Sequence, residues 1–262
     1  MPHLDLPTHR LHYRIDGAGD DRPWLTFCNS LGTDLHMWDA QIAGLSDGFR
    51  ILRYDRRGHG RSGRPDTLPA LGDLGRDVIA LWDGLGIAQS HFCGLSIGGL
   101  TGQWLGIHAP ERIGRMVVCA TAARIGSADA WRARIDEVAA HGLQGLLSAT
   151  AERWLTPAFR AARPAEAEAI LAGFAATPAE GYVGCCAALA GADLRDQIAR
   201  IACPLLAISG EDDPVCPPAE LQAIAEAVQQ GAHLSLPGRH IVNLEAPARF
   251  TATLRDFLQA GG

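Results

Sequence analysis

Seven short apolar runs punctuate the chain, at His12–Ile15, Trp24–Cys28, Arg50–Tyr54, His91–Cys93, Arg115–Ala120, Leu205–Ser209 and His233–Leu236. Their length and composition predict strands. Helix-length segments lie between most of them. Asp73–Leu85 places Leu74, Val78, Leu81, Trp82 and Leu85 at three-and-four spacing, one apolar stripe suited to packing on a sheet. Ala246–Leu258 repeats the stripe. Strands that are apolar nearly throughout, alternating with crossover helices, imply an α/β fold, a mostly parallel sheet with helices on both faces. Such sheets bind ligands beyond the carboxyl ends of their strands, so reactive side chains are expected in the loops that follow strands.

The alternation stops near Arg124. From there to Asp193 the sequence is Ala-rich and helical in period, is interrupted at Pro157, Pro164 and Pro178, and contains no strand pattern. It reads as a helical insertion over 124–193 in a core made of 1–123 and 194–262. Its charges nearly balance, its arginines being Arg124, Arg132, Arg134, Arg153, Arg160 and Arg163, so it is not a charged tail. No internal repeat or low-complexity linker breaks the chain.

Composition removes several chemistries. All 23 basic residues are arginine, which excludes a Schiff-base lysine, a Ser/Lys dyad and a GK[ST] phosphate loop. A net charge of −6 argues against nucleic acid, whose binding requires a basic face. The seven cysteines form an odd set without CxxC pairs, and three lie in strand-like runs, a pattern of reduced buried thiols that suits the cytoplasm. The segment MPHLDLPTHRLHYRID lacks the apolar stretch of an export signal, and nothing approaches the roughly eighteen apolar residues of a membrane span. Metal-ligand spacings and a dinucleotide fingerprint are missing, so neither metal nor cofactor is expected. Oligomeric state has no signature in the sequence.

The strongest chemical signal is HFCGLSIGG at His91–Gly99. A strand ends in Gly94-Leu95-Ser96-Ile97-Gly98 and a helix begins at once, the sharp turn that exposes a serine nucleophile while small neighbours let strand and helix approach. A serine hydroxyl requires a histidine base and an acid to orient it. After the strand Leu205–Ser209, the turn GEDDPVCP offers Asp212 and Asp213; adjacent loop residues point in different directions, and Asp213 is the preferred acid. Of ten histidines, His240 alone follows the last predicted strand, in LPGRHIVNLEAP, downstream of the acid. An oxyanion requires two backbone N–H donors, and Ile97 after the serine and Leu31 in the loop after Trp24–Cys28 occupy the right positions. DRRGHGRS at Asp55–Ser62 also follows a strand; its Asp55, Arg56, Arg57 and Arg61 read as a local ion-pair and turn network rather than a phosphate site, and His59 as structural.

These motifs, with the Asn29–Thr33 loop, resemble the α/β-hydrolase superfamily over essentially the whole chain. FCNSLGTDLHMWDAQ, ILRYDRRGHGRS, FCGLSIGGLTGQWLG and ERWLTPAFR are more specific, and resemble the 3-oxoadipate enol-lactonases of aromatic catabolism. In many superfamily members the first loop reads HGx; here Asn29-Ser30-Leu31 stands in its place. The resemblance implies a nucleophile at Ser96, an acid at Asp213, a base at His240 and oxyanion amides at Leu31 and Ile97. It implies opening of a small anionic lactone to 3-oxoadipate, with the insertion as a cap over the site. In that cap Arg134 is the preferred partner for the substrate carboxylate, and Trp131 and Trp154 are candidate pocket walls. The same triad would serve another carboxylesterase, a C–C bond hydrolase or a perhydrolase. A binding protein that keeps the triad is the reading from outside enzymology.

Overall fold

The computed structural model describes residues 2–19 and 21–260; residues 1, 20, 261 and 262, assigned to the core by sequence, lie outside the described residues. Eight strands form one sheet: β1 (His3–Asp5), β2 (Arg10–Asp16), β3 (Trp24–Cys28), β4 (Arg50–Tyr54), β5 (Ser90–Leu95), β6 (Ile113–Cys119), β7 (Leu205–Gly210) and β8 (Gly231–Leu236). Their spatial order is β1-β2-β4-β3-β5-β6-β7-β8. β1 with β2 and β2 with β4 pair antiparallel, and every later neighbour is parallel. The fold is therefore the mostly parallel α/β architecture that the alternation predicts. β1 is absent from the sequence reading, because three residues at a sheet edge with one apolar side chain carry no periodicity.

The core helices are α1 (Asp39–Leu45), α2 (Leu71–Gly84) and α3 (Ile97–His108). Between β6 and β7 come α4 (Ala128–His141), α5 (Leu147–Trp154), α6 (Pro157–Ala162), α7 (Pro164–Ala175) and α8 (Ala179–Ala190), followed after β7 by α9 (Pro218–Ala227), α10 (Val242–Glu245) and α11 (Pro247–Gln259). The stripe on α2 is buried as Leu74, Val78, Leu81 and Trp82. Burying an indole N–H without a partner would be costly, and Trp82 donates to Thr26 Oγ1 in β3 at 2.8 Å. No helix of the described residues is long and apolar enough to cross a membrane.

Parallel register decides where the loops meet. Cys28 of β3 lies beside Gly94 of β5, Leu95 beside Cys119 of β6, and Cys119 beside Ile208 of β7. Four strands thus end level, and the segments after them, beginning at Asn29, Ser96, Ala120 and Glu211, emerge along one edge.

The segment α4–α8 touches the core through backbone. A Cβ on Gly181 of α8 would lie 1.8 Å from the carbonyl oxygen of Gly58 in the turn after β4, and one on Gly58 would lie 2.5 Å from Gly181 Cα. Arg64 and Glu180 close an ion pair at 2.5 Å beside this contact. Cys185 and Cys186 face inward on the same helix as buried free thiols.

The turn after β4 keeps the turn network expected of Asp55, through the Arg61 amide and the Ser62 hydroxyl, but not the ion pairs with Arg56, Arg57 and Arg61. Asp55 hydrogen-bonds His12 Nδ1 at 2.7 Å, and its carboxylate also accepts from the amides of Leu35 (2.8 Å) and Arg61 (2.9 Å). Arg57 instead pairs with Asp77 of α2 at 2.6 Å. Asp55 lies beyond the end of β4, where Arg56 is drawn to the carbonyls of Asn29 and Ser30 and Arg57 to Asp77, which leaves neither guanidinium for it. His59 is fully buried; its Nε2 accepts the amide of Gly32 at 3.2 Å and its Nδ1 donates to the carbonyl of Arg57 at 3.3 Å. Burial, and then the charge of Arg56, hold its pKa at about 3, so it stays neutral and keeps an acceptor for the Asn29–Thr33 loop.

Two outcomes follow from these contacts. Gly181→Ala forces backbone apart on both sides and is expected to lower stability by about 1–3 kcal/mol, read from thermal or urea unfolding. For His59, the unfolded chain takes up a proton near the ordinary value of 6.5 while the folded chain does so only near 3. Unfolding then binds protons, and stability falls as pH drops from about 6.5 toward 3, by up to about 1.4 kcal/mol per pH unit. His59→Gln, which retains an acceptor without a titrating ring, is expected to flatten that part of the stability–pH curve; an unchanged slope would assign the acid lability elsewhere.

Candidate active site

Ser96 sits between β5 and α3 with φ 59° and ψ −120°, a left-handed backbone that a non-glycine residue adopts only when its surroundings enforce it. Those surroundings are specific. The Ser96 amide donates to Cys119 O at 2.9 Å, and Thr121 Oγ1 donates to Ser96 O at 2.8 Å. A Cβ at Gly94 would lie 2.2 Å from Gly98 O, and one at Gly98 would lie 2.2 Å from Cys28 O. The two glycines therefore let β5, α3 and the end of β3 close on one another, and that closeness brings the Asn29–Thr33 loop against the serine.

His240 follows β8 and is almost fully buried, with Nδ1 2.9 Å from Asp213 Oδ2. The other oxygen of Asp213 accepts the amides of Val215 (2.8 Å) and Cys216 (3.2 Å), which fix the carboxylate in its turn. Asp212 is exposed. Asp213 is thus the member of the adjacent pair that orients the imidazole, leaving Nε2 toward the cavity that Ser96 and His240 both line. Among the described residues no hydrogen bond joins Ser96 Oγ to His240, a contact that commonly tightens only with substrate present.

The amides of Leu31 and Ile97 find no acceptor among the described residues, and Leu31 lines the same cavity. Two free N–H groups beside a serine suit an oxyanion. Asn29 is anchored by Nδ2 to Tyr54 O at 2.8 Å and by Oδ1, which accepts Trp38 Nε1 at 2.9 Å. The side chain that replaces the usual first-loop histidine therefore belongs to the scaffold.

The cavity, about 390 Å³, lies between the serine and α4–α8. All three insertion residues singled out by sequence reach it: Trp131, Arg134 and Trp154. Trp131 donates its indole N–H to Ile125 O at 2.6 Å. Of the six arginines, only Arg134 and Arg153 line the cavity. Arg132 pairs with Asp129, Arg124 with Asp193 and Arg163 with Glu166, on the surface. Neither Arg134 nor Arg153 has a carboxylate within ion-pair distance among the described residues. Burial, and next the Arg134 charge, push the pKa of Arg153 down, the signature of a cation in want of an anion.

Tyr182 and Phe174 also line the cavity and were not anticipated, since nothing in an Ala-rich helix marks which face turns inward. Burial raises the Tyr182 phenol to about 12, so it is a neutral hydroxyl, 3.4 Å from Arg134 Nη1. The loop bearing His240 is also tied to the insertion. Glu245 accepts the Arg239 amide through one oxygen (2.6 Å) and the Thr156 amide and hydroxyl through the other (2.9 and 2.6 Å), while the Ile241 amide donates to Trp154 O at 3.3 Å.

Comparison with known proteins agrees with this geometry. The alpha/beta hydrolase fold family matches residues 23–247. The chain is 46% identical over 240 residues to 3-oxoadipate enol-lactonase 2 of Acinetobacter baylyi, covering 92% of this chain and 90% of that one. It is 37% identical to 3-oxoadipate enol-lactonase 1 of the same organism, covering 95% and 93%. The crystal structure of the enol-lactonase from Burkholderia xenovorans superposes with a TM-score of 0.96 at 42% identity, covering 98% and 99%. A serine in an enforced left-handed turn, an acid–imidazole pair facing it and relatives alike over nearly their whole length place the chain in the alpha/beta hydrolase family, beside the 3-oxoadipate enol-lactonases.

Proposed function

We propose that this chain is a serine hydrolase that opens 3-oxoadipate enol-lactone to 3-oxoadipate, with helices 124–193 acting as a cap. The observation that carries the reading is the pairing, in one cavity, of the Ser96 elbow with two arginines that lack carboxylate partners. A lactone with a carboxymethyl arm supplies both the ester carbonyl and the anion that such a cavity lacks. Relatives that bear the enol-lactonase name support the same substrate. The free state of all seven cysteines fits a cytoplasmic location.

His240 takes the proton of Ser96 as the hydroxyl attacks the lactone carbonyl. The tetrahedral oxyanion rests on the amides of Leu31 and Ile97, which are fixed before substrate arrives and need no reorganisation. Collapse breaks the ring C–O bond; the enol oxygen leaves with the proton from His240 and tautomerises to the ketone. A water deprotonated by the same imidazole then attacks the acyl–Ser96 ester and releases the second carboxylate. Asp213 holds the imidazole with its proton on Nδ1 and stabilises the imidazolium. Arg134 and Arg153 hold the carboxymethyl arm, and the walls from Trp131 and Trp154 limit the water that reaches the acyl-enzyme.

Ser96→Ala is expected to abolish turnover of the lactone without loss of folding. Asp213→Asn, which turns an amide donor toward the Nδ1 proton and imposes the wrong tautomer, is expected to lower kcat by about 10³–10⁴. Arg134→Met or Arg153→Met removes a charge-assisted contact worth about 1.5–3 kcal/mol and is expected to lower kcat/KM for the lactone by roughly ten- to a hundredfold, while p-nitrophenyl acetate is hydrolysed as before. Equal losses on both substrates would take the arginines out of the carboxylate role.

A further inference from the structure

Arg56, the first residue of the turn after Asp55, has almost no exposure and no carboxylate within ion-pair distance among the described residues. Its guanidinium is satisfied by the oxyanion loop instead. Nη2 donates to Asn29 O at 2.5 Å and lies 3.5 Å from Cys28 Sγ; Nη1 donates to Ser30 O at 3.3 Å; Nε finds no acceptor. A guanidinium stays charged at any working pH, and burying one against neutral carbonyls alone is expensive. An apolar side chain would fill the space without that cost.

The identity of the second carbonyl explains its retention. Ser30 C=O and Leu31 N–H are the two ends of one peptide group, with the guanidinium at one end and the cavity at the other. A cation hydrogen-bonded to an amide oxygen draws electrons toward it and makes the N–H of the same amide a stronger donor, because hydrogen bonds in series polarise one another in a low-dielectric interior. We propose that Arg56 is a positioning residue of the oxyanion hole, a buried cation that polarises the Ser30–Leu31 peptide and finds its counter-charge only when the tetrahedral oxyanion forms. The neighbouring prop of the loop is His59, which reaches Gly32 and is neutral, so Arg56 is the cation in contact with this loop. Its effect is larger in the transition state than in the ground state, and so falls on kcat.

This inference rests on the serine-hydrolase reading, and p-nitrophenyl acetate tests it without requiring the lactone. Two variants separate charge from scaffolding. Arg56→Lys keeps the cation but can reach fewer carbonyls; Arg56→Gln keeps an N–H donor for a carbonyl and loses the charge. The expected result is a ten- to hundredfold fall in kcat for Arg56→Gln with KM within about threefold and the pH profile unmoved, against a much smaller fall for Arg56→Lys. A fall for Arg56→Lys as large as that for Arg56→Gln, or no fall in a folded Arg56→Gln, would overturn the proposal. Should Arg56→Gln not fold, inhibition of Arg56→Lys by phenylboronic acid decides. With the cation kept, its tetrahedral adduct on Ser96 is expected to bind within about threefold of the unsubstituted enzyme, and weakening by tenfold or more in a folded Arg56→Lys would overturn the proposal. Persistence of p-nitrophenyl acetate turnover in Ser96→Ala would instead remove the nucleophile itself, whatever Arg56 does.

Discussion

The structure depends on one close approach: α3 must begin within contact distance of the end of β3. Gly98 has no Cβ because Cys28 O occupies that space, and Gly94 none because Gly98 O does. Once strand, helix and neighbouring strand are this close, the residue between them is forced to φ 59°, and its hydroxyl stands clear of the sheet. The same closeness brings the amide of Leu31 to the serine. The placement of Ser96 and of the Leu31 and Ile97 amides thus follows from a single packing contact, and the level ends of β5, β6 and β7 deliver the Asp213 loop to the same edge.

Behind the Asn29–Thr33 loop stand two buried nitrogen-rich side chains, one neutral and one cationic. His59 is kept neutral by burial and by its charged neighbour, so it accepts from Gly32. Arg56 donates to the carbonyls two and three residues earlier, those of Ser30 and Asn29. Between them a polar backbone segment that no helix or strand satisfies is held from behind, and its free amide is left facing forward. Such a loop needs no substrate to shape it, the condition under which fixed dipoles stabilise developing charge.

Much of this was legible in the sequence. Trp24–Cys28 and Arg50–Tyr54 are strands over those same residues, because central parallel strands are apolar on both faces and stand out from their surroundings. The elbow was legible because only small residues tolerate its geometry, and His240 because chain order leaves one histidine after the last strand. The choice between Asp213 and Asp212 is a matter of side-chain direction in a turn, which spacing does not encode. Which arginines of the insertion face the cavity is likewise invisible in an Ala-rich helix whose apolar positions are too plentiful to mark a face. The arginines of DRRGHGRS looked like partners of Asp55 because they are neighbours in sequence; in the fold Arg56 turns to carbonyls and Arg57 to α2.

The helical insertion and His240 are not mechanically separate. Glu245 receives the amide of Arg239, one residue before the base, and both donors of Thr156, at the turn from α5 to α6. The Ile241 amide adds a direct bond to Trp154, beside Arg153. One carboxylate therefore fixes the spacing between the imidazole and the cationic wall of the cavity. An anion gripped by Arg153 is held at a distance from His240 that the Glu245 carboxylate and the Ile241–Trp154 bond help to set. In the mechanism proposed above, selection of the substrate by its charge and placement of its carbonyl over Ser96 become one geometric event, so binding energy from the carboxylate is available to orient the reacting atoms.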